Sequence, residues 1–387
     1  MSSPVPPSPA PSGPVPGAAP GPAAGAAAAP AGALRVVIAP DSFKGSATAT
    51  QVAAALAAGW RAARPGDTVV AVPVADGGEG TLDVFAAAVP QARRCVRTAT
   101  GPDGRPVADA AWLALPDGTA LVELACVSGL PLMAVPDPLG AHTTGLGELI
   151  GAALDAGARQ ILVALGGSAS TDGGTGLLAA LGARFLDAAG RPLPPGGGAL
   201  TELARVDLSG LRPPPPDGVL CLVDVDAPLL GPAGAAAVFG PQKGARRADV
   251  ARLDRGLARL AELLGGDPAA PGAGAAGGTA YGLAAAWGAE LVPGARTIAE
   301  RAGLPAALAG ADLVVTGEGR FDRTSLSGKV VGGVIRLARE AGVPVLLVAG
   351  QIADRPPAEV LDAAALAELA GSVPAALARP VHWLEQA

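Results

Sequence analysis

Residues 34–81 read LRVVIAPDSFKGSATATQVAAALAAGWRAARPGDTVVAVPVADGGEGT, and this stretch decides the fold. Leu34 to Ala39 is a short apolar run rich in β-branched residues, the mark of a buried strand. It breaks at Pro40-Asp-Ser-Phe-Lys-Gly-Ser46. A helix is predicted from about Thr48 to Arg64, with Val52, Leu56 and Trp60 at i, i+4 and i+8 on one face. Pro65-Gly66 ends it. Thr68 to Val72 is a second strand, followed by Ala75-Asp-Gly-Gly-Glu-Gly-Thr81 and another helix. Strand, loop, helix, strand, loop, helix specifies a parallel α/β sheet.

The same rhythm returns at the far end of the chain. Asp312 to Val315 reads as a strand, Thr316 to Gly328 as a long polar loop, Lys329 to Glu340 as a helix and Val343 to Val348 as a strand. The middle differs. Residues 93–125 read as short strands joined by turns at Gly101–Gly104 and Pro116–Gly118. A helix near 144–157, a strand at Ile161–Leu165 and a strand at Val219–Val223 follow, and residues 266–278 form a Gly/Ala/Pro-rich connector. The expected fold class is therefore α/β with two dissimilar domains. One is a Rossmann-like parallel sheet formed by both chain ends, residues 34–92 plus 290–387. The other is an α/β domain with a mixed sheet, residues 93–289, inserted between them. Residues 1–33 are mostly Pro, Ala, Gly and Ser and cannot pack a core, so they are expected to be a disordered tail.

Composition removes several function classes. The 387 residues carry a net charge of −6, and no stretch is strongly basic, which argues against nucleic acid as a partner. Aromatic residues are 3% of the chain against 50% hydrophobic, so the core must be built from Ala, Val and Leu. Cys95, Cys126 and Cys221 form no CxxC pair, and His142 and His382 lie far apart. A disulfide framework, a zinc ribbon and a Ser-His-Asp relay are all poorly supplied. The apolar stretches are too interrupted for a membrane span or a secretory signal, and a cytoplasmic location is expected. The oligomeric state is left open.

Gly-rich turns at the ends of strands recur four times, at 40–46, 75–81, 165–174 and 316–328, and each carries Asp or Glu. In an open α/β sheet, ligands bind outside the carboxyl ends of the strands, where helix N-termini point amides at anions. Four such loops point to a shared phosphate-handling face. Phosphoryl transfer needs donors for phosphate oxygens, carboxylates for Mg²⁺ and a carboxylate near the attacking hydroxyl. The expected phosphate donors are Gly77, Gly78, Gly166, Gly167, Ser168, Thr316, Gly317, Gly319 and Lys329. Asp76, Glu79, Asp224, Glu318 and Asp322 are the candidate metal ligands. Asp41 or Asp172 is the candidate base, with Lys44 and Lys243 as catalytic cations. Ser42, Lys44 and Arg320 are the candidate substrate contacts. There is no Walker A loop, since Val330 stands where Ser or Thr is required. Asp224-Val-Asp226 also fits the nucleophile and acid of a magnesium-dependent phosphatase, or a plain turn. A non-catalytic ligand-binding module is a third reading.

Five phrases together resemble the bacterial glycerate kinase family of type 1. They are Ile38-Ala-Pro-Asp-Ser-Phe-Lys-Gly-Ser46, Val74-Ala-Asp-Gly-Gly-Glu-Gly-Thr81, Leu165-Gly-Gly-Ser-Ala169 with Asp172-Gly-Gly174, Val238-Phe-Gly-Pro-Gln-Lys-Gly-Ala245, and Thr316-Gly-Glu-Gly-Arg-Phe-Asp322 with Gly328-Lys329. The resemblance runs from about residue 34 to 387. It departs at Thr171 and Ala227, where the family usually has Asn, and at Val331, where it usually has Pro. The resemblance implies ATP-dependent phosphorylation of D-glycerate to 2-phosphoglycerate, with the site between two dissimilar α/β domains.

The chain contains no Asn and only three Lys among its 28 Lys plus Arg: Lys44, Lys243 and Lys329. Arg serves wherever a generic surface cation suffices, so each Lys marks a place that needs a compact point charge rather than a planar fork. Lys44→Arg, Lys243→Arg and Lys329→Arg are each expected to fold normally. At least two should lose activity, by on the order of 10²–10³ in kcat. Steady-state kinetics checks this, and retention of activity within a few-fold by all three would reduce the lysines to solvated surface charges.

Overall fold

Two sheets organise the chain. The computed structural model describes Met1 and residues 32–326 and 329–387. The expected tail, apart from its ends, and Gly328 lie outside the described residues. Within them the strands are β1 Arg35–Ile38, β2 Thr68–Ala71, β3 Arg93–Thr100, β4 Pro106–Ala114, β5 Thr119–Glu123, β6 Gln160–Ala164, β7 Arg184–Leu186, β8 Arg205–Asp207, β9 Val219–Val223, β10 Glu290–Pro293, β11 Leu313–Phe321, β12 Val345–Ile352 and β13 Val360–Ala365. The first sheet has the order β13-β12-β11-β1-β2, with every pair parallel, and takes its strands from both chain ends as expected. The second has the order β10-β9-β6-β5-β4-β3 and is mixed. β5, β6, β9 and β10 are parallel, whereas β3 and β4 join by antiparallel pairing. β7 and β8 form a separate small ribbon.

Alternation along the strands explains how the layers stack. Val36 and Ile38 of β1 face a cluster with Val52, Ala53 and Leu56 of the helix Ala49–Ala63 and with Leu366 and Leu384 near the C-terminus. Val37 and Ala39, one residue out of phase, face the opposite way. They join one apolar cluster with Val330, Val334 and Ala338 of the helix Val330–Ala341 and with Leu113, Leu121, Leu162 and Leu222 of the second sheet. The other face of that sheet, including Trp112, Val122, Ile161 and Cys221, packs on Leu146, Leu149, Leu177 and Tyr281. The two sheets thus share a buried layer and present their carboxyl ends to a common region.

Two expectations need correction. Thr316 to Phe321 is not loop: β11 continues to Phe321, paired with β12 as far as Phe321↔Ile352. Gly317 permits it, because a Cβ there would stand 1.9 Å from the Val348 carbonyl oxygen. The polar composition that suggested a loop belongs to a strand end projecting into a cleft. The return to the first sheet also comes later than residue 290, since β10 pairs with β9 in the second sheet, Glu290↔Leu220 to Pro293↔Val223. The expected connector 266–278 ends in a left-handed turn at Ala276, Gly277 and Gly278, which leads into the helix that closes at Trp287.

The C-terminal helix Pro380–Gln386 closes the outer face of the first sheet against the helix Ala49–Ala63. The contact is backbone-close at Gly59, where an added Cβ would meet the Glu385 carbonyl oxygen at 2.4 Å. Gly59→Leu should therefore displace the C-terminal helix and destabilise the protein by about 1–3 kcal/mol. Urea unfolding monitored by tryptophan fluorescence reads the loss, and an unchanged midpoint would show that this docking carries no stability.

Candidate active site

The strand order of the first sheet reverses once. From β1 the chain adds β2 on one side, then returns at β11 and builds outward through β12 and β13 on the other. Loops leaving the carboxyl ends of β1 and β11 must therefore diverge, which opens a crevice between them. The backbone ladder holds up to the point of divergence: Ala39 N–H donates to Val315 O and Asp41 N–H to Gly317 O, each at 2.8 Å. The Thr316 hydroxyl, fully buried, donates to Ala39 O at 2.8 Å.

A cleft of about 360 Å³ opens at this junction. Its polar lining is Asp41, Ser42, Lys44, Ser46, Asp76, Glu318, Arg320, Asp322 and Lys329. Gly319 belongs to the same wall, and a Cβ there would stand 3.4 Å from the Lys44 amide nitrogen, so glycine lets the two loops approach. Leu366, Ala376, Leu377 and Pro380 add an apolar lining from the C-terminal segment. Sequence reasoning missed these four, because Leu, Ala and Pro in short helices carry no chemical signal of their own.

Asp41 is the most perturbed acid of the cleft. Burial, and next the negative charge of Asp76, push its carboxyl up to about 7, despite the Ser42 N–H that donates to Oδ1 at 2.6 Å and the nearby Lys44 charge. Glu318 is also raised, mainly by burial. Its Oε1 is buried and has no hydrogen-bond partner. Lys44 Nζ lies 3.8 Å from Asp76 Oδ2 with the lysine side chain 82% exposed, so the ammonium is free to meet a ligand. Lys329 caps the helix Val330–Ala341, and its Nζ donates to the Thr324 hydroxyl at 2.9 Å.

Several expected residues lie elsewhere, for readable reasons. Asp172 is fully buried and its carboxylate is already occupied. Oδ2 accepts from the Thr143 N–H at 2.9 Å, the Thr143 hydroxyl at 2.8 Å and the Gly176 N–H at 3.2 Å, while Oδ1 accepts from the Gly174 N–H at 3.1 Å. That is a loop brace, not a free base. Asp224 Oδ2 accepts from the Ala295 N–H at 2.9 Å at the start of the helix Gly294–Arg301, and burial raises its carboxyl to about 7. It does not line the cleft, and a nucleophilic role loses its basis. Glu79 is exposed outside the cleft. Asp322 lines the cleft, but its Oδ1 accepts from the Thr324 N–H and hydroxyl at 2.9 and 2.6 Å, which holds the carboxyl below its ordinary range. Gly77, Gly78, Gly166 and Gly167 do not line the cleft, and the first three form a junction between two loops. Gly166 N–H donates to Gly77 O at 2.9 Å, and a Cβ on Gly166 would stand 2.5 Å from Gly78 Cα. Lys243 and Ser168 lie outside the cleft, in the turn Pro241–Lys243 and the loop after β6, where Lys243 Nζ donates to Ser168 Oγ at 2.8 Å. Lys243 is 2% exposed, which corrects the expectation that Lys243→Arg folds normally, since a wider guanidinium would overfill the space. Glu123, absent from the expected set, is buried at the end of β5 and accepts from the Gly80 and Leu82 N–H groups, which fixes the start of the helix Thr81–Ala88.

Among the described residues no three His, Cys, Asp or Glu side chains come together to hold a metal ion, so the expected five-carboxylate set is not gathered. Of that set Asp76, Glu318 and Asp322 line the cleft, and Asp322 is engaged by Thr324. Two are enough for a magnesium ion that arrives on nucleotide phosphates, since Mg²⁺ takes most of its ligands from phosphate and water.

A doubly wound parallel sheet whose switch point holds paired carboxylates between lysines defines a phosphate-handling α/β enzyme. The particular family follows from comparison with known proteins. A family model described as the glycerate kinase family matches residues 36–387. The chain belongs to the glycerate kinase family. It is 43% identical over 330 residues to a glycerate 2-kinase of Escherichia coli K12, covering 83% of this chain and 86% of that protein. It is 44% identical over 328 residues to a glycerate kinase of Bacillus subtilis 168, covering 82% and 85%. A crystal structure of a Salmonella typhimurium LT2 protein described as a glycerate kinase 2 superposes with a TM-score of 0.77 at 38% identity, covering 92% of this chain and 97% of that one. No helix among the described residues is long and apolar enough to cross a membrane.

The raised Asp41 carboxyl has a consequence for stability. Its folded value, about 7, lies above the unfolded value near 4, so the fold favours the protonated form. That contribution is complete below about pH 4 and is lost as pH rises through about 7. At pH 8 the ionised side chain therefore works against folding. Asp41→Asn keeps an acceptor for the Ser42 N–H and removes the charge. It should raise stability at pH 8 by on the order of 1–3 kcal/mol and leave it nearly unchanged at about pH 3.5. Thermal melts at the two pH values test this; equal shifts at both would show that the gain is not electrostatic.

Proposed function

We propose that the protein catalyses ATP-dependent phosphorylation of D-glycerate at its C2 hydroxyl, yielding 2-phosphoglycerate and ADP. The observation that carries this reading is the placement of Asp41 at the β1–β11 switch point, half-buried, facing a cleft flanked by Lys44 and Lys329. Family membership supports the acceptor, and the E. coli relative's name supports position 2.

The cleft suits an amphipathic nucleotide. The apolar lining from Leu366, Ala376, Leu377 and Pro380 accommodates a base, and Lys44, Arg320 and Lys329 take the phosphates. Asp41 accepts the C2 hydroxyl proton as that oxygen attacks the γ-phosphorus. The new O–P bond forms as the bond to the β-phosphate oxygen breaks, and ADP leaves. A carboxyl poised at about 7 is suited to a general base near neutral pH. Asp172, with both oxygens already accepting backbone N–H groups, is the weaker candidate for this step. Asp76 and the unpartnered Glu318 oxygen would hold magnesium on the nucleotide, where the ion would neutralise charge on the transferring phosphoryl group.

Glycerate-dependent ADP release, with ³¹P NMR of the product, tests the reading. The expected product signal is a C2 phosphate, and a C3 phosphate would overturn the regiochemistry. kcat/KM should rise with pH through about 7 as Asp41 loses its proton, and Asp41→Asn should lower kcat by on the order of 10²–10⁴. A profile still rising through the same pH in the Asn variant would assign the base elsewhere.

A further inference from the structure

Lys243 sits in an environment that the nucleotide cleft does not explain. The residue is 2% exposed, in a turn at Pro241–Lys243. Its Nζ donates to Ser168 Oγ at 2.8 Å and to the Ser170 carbonyl oxygen. Both partners are neutral. Among the described residues no carboxylate lies within ion-pair distance of this ammonium. Its electrostatic neighbour, Asp172, already accepts four hydrogen bonds from the Thr143–Gly176 region. A buried cation whose nearest counter-charge stands beyond ion-pair distance is costly. Desolvation accordingly pulls the Lys243 ammonium down to about 7.

The polar groups around it are incomplete in a matching way. The hydroxyls of Ser170 and Thr171 are fully buried and have no hydrogen-bond partner. So is that of Ser128, which lies across the Gly129↔Ser168 bridge from the same loop and accepts the Ala169 N–H on its carbonyl. Three orphaned hydroxyls, two on the loop that accepts the Lys243 ammonium and one across the bridge from it, together with an ammonium whose hydrogen-bond partners are all neutral, are what a small anion would satisfy. The loop itself leaves the carboxyl end of β6, in the parallel part of the second sheet, where α/β sheets hold ligands. It is clamped from behind: a Cβ on Gly277 of the left-handed turn would stand 2.2 Å from Ser170 O and 2.6 Å from Thr171 Cα. It also touches the nucleotide cleft. Gly166 N–H binds Gly77 O, Gly78 N–H binds Asp76 Oδ1 at 2.9 Å, and Asp76 lines the cleft.

We propose that Lys243, with the hydroxyls of Ser128, Ser170 and Thr171, forms a second, anion-binding site that takes the carboxylate of the three-carbon hydroxy-acid acceptor, leaving the β1–β11 cleft to the nucleotide. The identity of the acceptor rests on the function proposed above; the anion site rests on the burial and missing partners. The near-closure around Lys243 restricts the site to a small anion and requires the loop to open for entry.

The test uses D-glycerate, glycerol and ADP as probes on the full chain. In the wild type, glycerate should raise the melting temperature and glycerol, which lacks the carboxylate, should not. Lys243→Met should abolish the glycerate shift and raise the glycerate KM on the order of 10–100-fold, while the ADP shift stays. Ser170→Ala and Thr171→Val remove hydroxyls that have no partner. They should fold with an unchanged or higher melting temperature, yet raise the glycerate KM several-fold without moving the ATP KM. A merely structural role would leave that KM in place. Ser170→Ala and Thr171→Val decide the matter if Lys243→Met fails to fold. Glycerate affinity unchanged in these variants, or no glycerate shift in the wild type, overturns the site. A wild type stabilised by glycerate that does not phosphorylate it keeps the site and overturns the proposed function alone.

Discussion

The parallel pairing of β1 with β11 is the contact on which the rest depends. It joins residues 36–38 to residues 313–315, across most of the chain, and makes one sheet from two ends. Loop closure over such a separation is entropically expensive, so the pairing forms only with its apolar support. That support is two-sided. Val36 and Ile38 bury against one helical layer, Val37 and Ala39 against another, and all four are fully buried. The same pairing sets the strand-order reversal and hence the crevice. A site residue such as Asp41 owes its position to a backbone bond with Gly317, 276 residues away, not to its neighbours in sequence.

The second sheet is tied to the first through a shared apolar layer instead of a polar hinge. Leu113, Leu121, Leu162 and Leu222 from one sheet and Val37, Val314, Leu347 and Ala349 from the other belong to one buried cluster. Apart from Phe85 and Phe321, the buried members of this layer are Ala, Val, Leu and Ile. It is assembled from many small contributions, each buried methylene adding roughly 0.8 kcal/mol. An Ala- and Val-built layer also lets backbones come close, and the glycine contact between Gly166 and Gly78 is the extreme case. The two groups of loops therefore touch directly at the ligand ends of their sheets.

Much of this was legible in the sequence because the signals are local. Strand period, helix period and Pro/Gly punctuation gave β1, β2, the helix Ala49–Ala63 and the discontinuous parallel sheet. The failures share a non-local cause. Thr316 to Phe321 looks like a loop because Gly317, Glu318, Gly319 and Arg320 are poor strand residues, and only the β12 partner makes them one. β10 is four residues long, and its partner lies some 70 residues earlier. Among the acids, Asp41 and Asp172 look alike in sequence, each beside a Gly-rich loop. The difference is made by Thr143, which commits two donors to Asp172 from 29 residues upstream, whereas Asp41 meets one backbone N–H and an acidic neighbour. The apolar lining of the cleft could not be found at all, since Leu366, Ala376, Leu377 and Pro380 are indistinguishable from packing residues until the C-terminal helices dock.

The charges of the two loop groups are unfinished in opposite senses. At the β1–β11 junction, burial raises both Asp41 and Glu318, helped by the negative charge of Asp76 for Asp41 and of Asp322 for Glu318. Around Lys243, burial lowers a cation, only partly offset by the negative charge of Asp172. A chain selected for stability alone would have replaced these groups with apolar residues of similar size, which often costs nothing and sometimes stabilises. Retaining them means that the unliganded fold holds electrostatic free energy that a suitable ligand relieves. Excess negative charge is relieved by a cation or a transferred proton, and excess positive charge by an anion. The lysine count sharpens the point. In a chain with 28 Lys and Arg, Lys44 and Lys329 line the cleft and Lys243 is buried beside orphaned hydroxyls. A compact ammonium is kept where space is limited and the partner is to be a small oxyanion, which a planar guanidinium would overfill.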